Sequence, residues 1–196
     1  MNISRLLRHL ASALPLCFVS FALAAEPALK PFPDDPTCTA DDRKFMARAF
    51  ELARFAMARG DGAIGAVLVK DGKIICEYGN SVNSDSDPIM HGETGLISRA
   101  SRVIEKSLWK DSILYTSLEP CIMCCGSIRT AGIKEVVYGG SSRQAITGAP
   151  YGPDRIRIRE VYDRLGADIK VRGPLMDDEQ LKVRTEQVAM RAKAKS

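Results

Sequence analysis

Two short stretches of the chain hold residues that do metal chemistry at close spacing: His91-Gly92-Glu93 and Pro120-Cys121-Ile122-Met123-Cys124. One imidazole and two thiolates suit tetrahedral Zn²⁺, and three protein ligands leave a fourth position open, which separates a catalytic zinc from a structural one. Cys121 and Cys124 stand one helical turn apart, so both sulfurs face the same side of a helix. Pro120 is well tolerated where a helix begins, and first-turn placement lets the helix dipole favour thiolate. Glu93, two residues beyond His91, can reach a metal-activated water without binding the metal. A carboxylate there takes a proton from that water and hands it to a substrate nitrogen. Cys-x-x-Cys is also a disulfide-oxidoreductase motif, but that reading needs a thioredoxin-like context and leaves His91 and Glu93 without a role. Cys125 points about 100° further round the helix and reads as core packing.

His-x-Glu followed by Pro-Cys-x-x-Cys resembles the pattern of the zinc-dependent cytidine and deoxycytidylate deaminase superfamily, whose members deaminate nucleobases and nucleosides. The resemblance continues through GAVLVKDGKII, DPIMHGE, ILYTSLEPCIMCCGSI and VVYGG, from about Asp41 to Tyr138. These phrases look like guanine deaminases, tRNA adenosine deaminases and fungal-type cytosine deaminases. The resemblance implies one Zn²⁺ per chain on His91, Cys121 and Cys124, with Glu93 as proton shuttle. It places Asn80 where a side-chain amide holds the base, and Ala66 at a strand end that meets the base through backbone. Ser117-Leu118-Glu119 then presents backbone carbonyls towards the departing amine. It also implies a homodimer, for which the small face Cys125, Gly126, Ser127 and Ala131 is suited. Two positions depart from the pattern: Ala63 stands where proline is frequent, and Gly92 replaces the commoner alanine, as in the fungal-type cytosine enzymes.

The elements that must position these residues follow from periodicity and turn chemistry. Apolar residues Phe45, Ala49, Leu52, Ala53 and Ala56 recur at helical spacing over Ala40 to Arg59, and Gly60 stops the helix. Ala63 to Lys70 and Lys73 to Tyr78 read as strands joined by the hairpin turn Asp71-Gly72. A helix is predicted from His91 to about Glu105, a strand at Ser112 to Ser117, and a helix at Cys121 to Ala131. Glu135 to Tyr138 is a strand entering the glycine-rich loop Gly139 to Gly152. Asp154 to Arg164 is helical, Asp168 to Val171 a last strand, and Asp177 to about Lys193 a terminal helix. The order αββαβαβαβα predicts a three-layer α/β/α domain over residues 40–196 with a mixed five-stranded sheet, the cytidine-deaminase-like fold.

The amino terminus reads as an address. Residues 1–24 have a basic start (Arg5, Arg8), an apolar run from Leu10 to Leu23 and the small-x-small ending Ala22-Leu23-Ala24, the pattern of a cleaved export signal. The run is too short to span a bilayer comfortably. Residues 25–39, with Pro27, Pro31, Pro33 and Pro36, read as a leader outside the core. Export would put the remaining cysteines in an oxidising compartment, where Cys38 and Cys76 could pair as a disulfide; equally, Cys76 could be a small apolar strand residue.

The net charge of +4 over 196 residues, two of it from Arg5 and Arg8, is too weak to point to nucleic acid as the partner. The expected activity is therefore zinc-dependent hydrolytic deamination of a small nucleobase or nucleoside, with release of ammonia. Guanine or a related aminopurine leads, because TSLEPCIMC and the SDP before the His-x-Glu triplet match that group. Cytosine- or adenosine-type deamination is the alternative, and a non-catalytic zinc module on the same fold is the competing class. Base selection is expected from Asn80, from the loop Gly139 to Gly152 with Tyr151 and Asp154, and from the terminal helix.

Overall fold

The computed structural model describes residues 30–142 and 156–194. The predicted export signal, Tyr151 and Asp154 lie outside the described residues. The elements are α1 (Ala40–Ala58), β1 (Gly65–Lys70), β2 (Lys73–Gly79), α2 (Gly92–Ala100), β3 (Ile113–Leu118), α3 (Ile122–Ala131), β4 (Glu135–Gly140), α4 (Ile158–Arg164), β5 (Lys170–Arg172) and α5 (Asp177–Lys193). The sheet order is β2-β1-β3-β4-β5. β1 runs antiparallel to both β2 and β3, whereas β3, β4 and β5 are parallel. The sheet is therefore mixed, in the predicted element order.

Alternation along each strand divides the core into two layers. Ala66, Leu68, Leu114, Val136 and Tyr138 face α2, α3 and α4, where they meet Leu96, Ala100, Ile128 and Val161. Val67, Val69, Tyr115 and Val137 face α1 and α5, against Met46, Phe50, Ala53 and Val183. Local chemistry sets the boundaries. Thr39 and Asp42 form a reciprocal capping box at the start of α1. Asp71 and Gly72 both take positive φ, as a two-residue hairpin turn of matching twist demands.

The structure corrects several expectations. Cys38 and Cys76 do not pair, and both are free thiols. Cys76 is packed in the layer beneath α2, while Cys38 packs against the opposite layer, so the sheet stands between them. The helix after His91 ends at Ala100; the chain then turns through a 3₁₀ segment at Lys106–Leu108, which lets Trp109 return into the core. The described part of the proline-rich leader is fastened to the domain by hydrogen bonds. Phe32 N–H donates to Asp177 Oδ2 at 2.8 Å, and the Asp34 and Asp35 carboxylates accept from the Met176 and Gly173 N–H groups at 2.8 and 2.9 Å.

β5 starts two residues later than predicted and extends one further, to Arg172, whose partners explain the extension. The guanidinium donates to both carboxylate oxygens of buried Asp42, and to Glu135 Oε1 at 2.7 Å from Nε. Tyr115 Oη donates to Asp42 Oδ1 at 2.6 Å. Burial alone would raise the Asp42 pKa, but Arg172, Tyr115 and Thr39 hold it well below the usual carboxylate range.

Candidate metal centre

The parallel strands β3 and β4 end together, with Leu118 paired to Gly140, and antiparallel β1 begins at the same edge, with Ala66 paired to Thr116. At this edge α2 and α3 begin. His91 and Cys121 are the N-cap residues of those helices, both in extended backbone, and neither side chain caps its own helix. Their side chains meet instead. Cys121 Sγ and Cys124 Sγ lie 3.7 and 3.6 Å from His91 Nδ1, and 3.4 Å from each other. Tetrahedral zinc with ordinary bond lengths has S–S and N–S edges of about 3.8 and 3.6 Å. The three donors therefore fit Zn²⁺ to within a few tenths of an ångström, and all lie within 4.8 Å of one another.

The electrostatics suit a dication. Two helix N-termini converge on the sulfurs and favour negative charge there. The hydrogen bond between the two sulfurs, with His91, pulls Cys121 down to about 3, and the same contact, with burial, pushes Cys124 up. Two thiols sharing one proton are the arrangement a cation displaces when it binds. Glu93, in the first turn of α2, is 2% exposed, and its Oε2 lies 3.5 Å from Cys124 Sγ. Burial, then the charge on Cys121, raises its pKa above the ordinary range. Such a carboxyl can hold a proton and give it back.

Gly92 is explained by packing. A Cβ there would sit 3.1 Å from Ile64 Cγ2 and 3.3 Å from Ile64 O, so α2 rests directly on the approach to β1. Asn80 joins the same corner, donating its N–H to Ile64 O at 2.8 Å. Its side-chain Oδ1 accepts from Val82 N–H at 3.1 Å and from Gly62 N–H at 3.3 Å. The acceptor end of this amide is thus used by the fold.

The remaining expected contacts sit differently. Ala66 is the second residue of β1, fully buried on the face that packs towards α2 and α3, and Ile64-Gly65 just before it meets the start of α2 at Gly92. Ser117 Oγ accepts from Gly65 N–H at 3.1 Å, and Ser117 O abuts Gly139 in β4, where a Cβ would lie 2.7 Å away. The Ser117 side chain thus ties the start of β1 to β3. Cys125 is buried in the core, as expected.

Two features went unread in the sequence. The Glu119 carboxylate, 2% exposed, accepts from Arg157 and from the N–H groups of Ser142 and Ile158 at 3.2 and 3.1 Å. It thereby fastens the residue before Pro120-Cys121 to the end of β4 and the start of α4. The Asp61 carboxylate accepts from Asn83 N–H, Ser84 N–H and Ser84 Oγ at 2.8, 3.0 and 2.8 Å, anchoring the loop between Asn80 and His91. A glutamate beside a Pro-Cys helix start is the one local signal that pointed to the first; nothing near Asp61 signalled the second.

Residues 39–140 match the sequence profile of the cytidine and deoxycytidylate deaminase zinc-binding region. A guanine deaminase from Bacillus subtilis is 43% identical over 102 residues, covering 52% of this chain and 65% of that protein. A tRNA-specific adenosine deaminase from Buchnera aphidicola is 39% identical over 100 residues, covering 51% and 66%. The chain thus spans a little under two thirds of the length of these relatives. Among solved structures, one from a study of A-to-I editing by tRNA:A34 deaminases superposes with a TM-score of 0.61 at 28% identity, over 72% of this chain and 99% of the other.

Proposed function

The chain belongs to the cytidine and deoxycytidylate deaminase family, and we propose that it is a zinc-dependent hydrolytic deaminase of a small nucleobase, guanine or a related aminopurine foremost. The observation that carries this reading is one buried carboxyl, Glu93, 3.5 Å from a His/Cys/Cys donor set. The guanine preference is supported by the likeness to guanine deaminase, 43% identical over 102 residues. The reaction consumes water, replaces the exocyclic amine by a carbonyl oxygen and releases ammonia. Zinc held by His91, Cys121 and Cys124 would supply the Lewis acidity that makes water nucleophilic at neutral pH. Glu93 takes the proton given up by that water and delivers it to the ring nitrogen and then to the leaving amine. The Asn80 NH₂ orients the base, and Asp61 and Glu119 hold the loops on either side.

Glu93→Gln should retain zinc and lose about 10²–10⁴-fold in turnover. Ammonia release measured on guanine, cytosine, adenine and their nucleosides tests the reading. Undiminished turnover in Glu93→Gln, or no turnover of any base by the zinc-loaded wild type, would overturn it in favour of a zinc-binding module. A cytosine rate ten times that for guanine would reverse the order of bases.

The active form is a homodimer in this proposal. An open groove of about 650 Å³, lined by Ile97, Ile104, Trp109, Met123 and Ala131 and rimmed by Ser101, Lys106, Ser127 and Thr130, gives α2 and α3 a face for a second copy. A sedimentation mass of one chain would contradict this. Export with cleavage after Ala24 is likewise proposed, from the amino-terminal pattern alone; among the described residues no helix is long and apolar enough to cross a membrane. Sequencing the mature amino terminus checks it.

A further inference from the structure

Among the described residues, two buried side-chain polar atoms lack a hydrogen-bond partner, Tyr162 Oη and Gln180 Oε1. Buried amide oxygens are nearly always satisfied, because an acceptor removed from water without a donor costs more than an apolar group of the same shape. Gln180 is 2% exposed, so a leucine or methionine would suit a purely packing role better. Its place in the fold suggests where a donor comes from.

Gln180 lies against Gly140, the last residue of β4. A Cβ on Gly140 would fall 2.0 Å from Gln180 Cγ and 2.4 Å from its Cβ, so a glycine there is what lets α5 lay this side chain on the strand end. Gly140 O accepts the Glu119 N–H at 2.9 Å, two residues before the ligand Cys121. α5 is pinned along this edge at two points. Asp177 Oδ1 accepts from Ser141 N–H at 2.7 Å, and Gln187 Nε2 donates to Asp61 O at 3.2 Å. Ser141 follows the end of β4, and Asp61 anchors the loop that carries Asn80. The helix therefore bridges the two loops flanking the metal centre, and Gln180 sits on the bridge.

We propose that Gln180 is a specificity-determining residue whose Oε1 accepts the ring N–H of a free nucleobase, and so selects free bases over nucleosides. The proposal rests on the deaminase reading and deepens it. In a nucleoside the corresponding nitrogen carries the sugar, so it offers no N–H and would leave the buried oxygen unpaired. Asn80 supplies donors through its NH₂, and Gln180 supplies the acceptor that the Asn80 oxygen, used by Gly62 and Val82, does not.

The test compares guanine with 9-methylguanine, which lacks that N–H, by calorimetric binding to the zinc-loaded protein and by turnover. Wild type should bind guanine more tightly. Gln180→Met, which keeps the packing on Gly140, should weaken guanine by about 10–100-fold, expressed in KM, and leave 9-methylguanine unchanged. Gln180→Glu, which keeps an acceptor oxygen, should retain the preference and guards against a folding defect in the methionine variant. Equal binding of the two ligands by wild type, or an equal loss of both in Gln180→Met, overturns the proposal. Selective binding of guanine without ammonia release would sustain it while refuting the deaminase reading.

Discussion

Two groups of ionisable side chains are buried on opposite faces of the same sheet, and they differ in what completes them. In the layer beneath α1, Asp42 has all its capacity filled by Arg172, Tyr115 and Thr39, and Arg172 turns further donors to Glu135 and to the Thr37 carbonyl. Every charge there has a protein partner. Beside α2 and α3, two sulfurs, an imidazole nitrogen and a carboxyl converge at 3.4–3.7 Å with acceptors in excess of donors. Both clusters bear the desolvation that burial imposes. The first answers it internally and holds α1 to β4 and β5. The second is complementary to something the chain does not itself supply, a dication. Burial and perturbed acidity alone would not tell these two apart; satisfaction of the partners does.

The sharpest way to break this contrast is to remove one donor from the open cluster. Cys124→Ser should reduce bound zinc, measured by atomic absorption after dialysis, from about one per chain to near zero, because a serine hydroxyl is a poor zinc ligand. The far-ultraviolet circular dichroism should be unchanged. A variant that keeps its zinc would place the ion elsewhere. The closed cluster should respond in the opposite sense. Arg172→Met strands Asp42 as an unpaired buried carboxylate, and breaking such a pair costs about 3–5 kcal/mol. For a chain of this size that lowers the melting temperature by roughly 2–4 °C per kcal/mol. Zinc content per folded chain should stay at the wild-type value; a loss of zinc would show that the two clusters are coupled.

The open cluster was legible in the sequence because its chemistry is local. His91 with Glu93, and Cys121 with Cys124, are separated by two or three residues, and helix geometry carries such spacing directly into space. The strands were legible for the same reason, since a period of two is a local property. What could not be read were partnerships over long separations. Asp42 with Arg172, Asp61 with the 80s loop, and Glu119 with Arg157 depend on which strands lie side by side, which no window of residues records. Pairing Cys38 with Cys76 failed on the same point: counting cysteines cannot say that a sheet lies between them.

The smallest effect is the most discriminating, because the two clusters should answer pH with opposite signs once zinc is removed by a chelator. Asp42 has a folded-state pKa below its unfolded value, so the stability it contributes is present above the ordinary carboxylate range, near 4, and is lost as pH falls through the lower, folded value. Glu93 has a folded-state pKa above its unfolded value. Its contribution is full below about pH 4 and declines as pH rises through the higher, folded value. Urea unfolding of the metal-free protein between pH 3 and 8 separates them. Asp42→Asn should be destabilised relative to wild type at pH 7, with the difference shrinking in acid. Glu93→Gln should be more stable than wild type at pH 7, because the neutral isostere does not bear the burial of a charge. That gain should also vanish towards pH 4. If Glu93→Gln instead loses stability at neutral pH, its carboxyl belongs with the satisfied cluster, and the distinction between the two faces of the sheet fails.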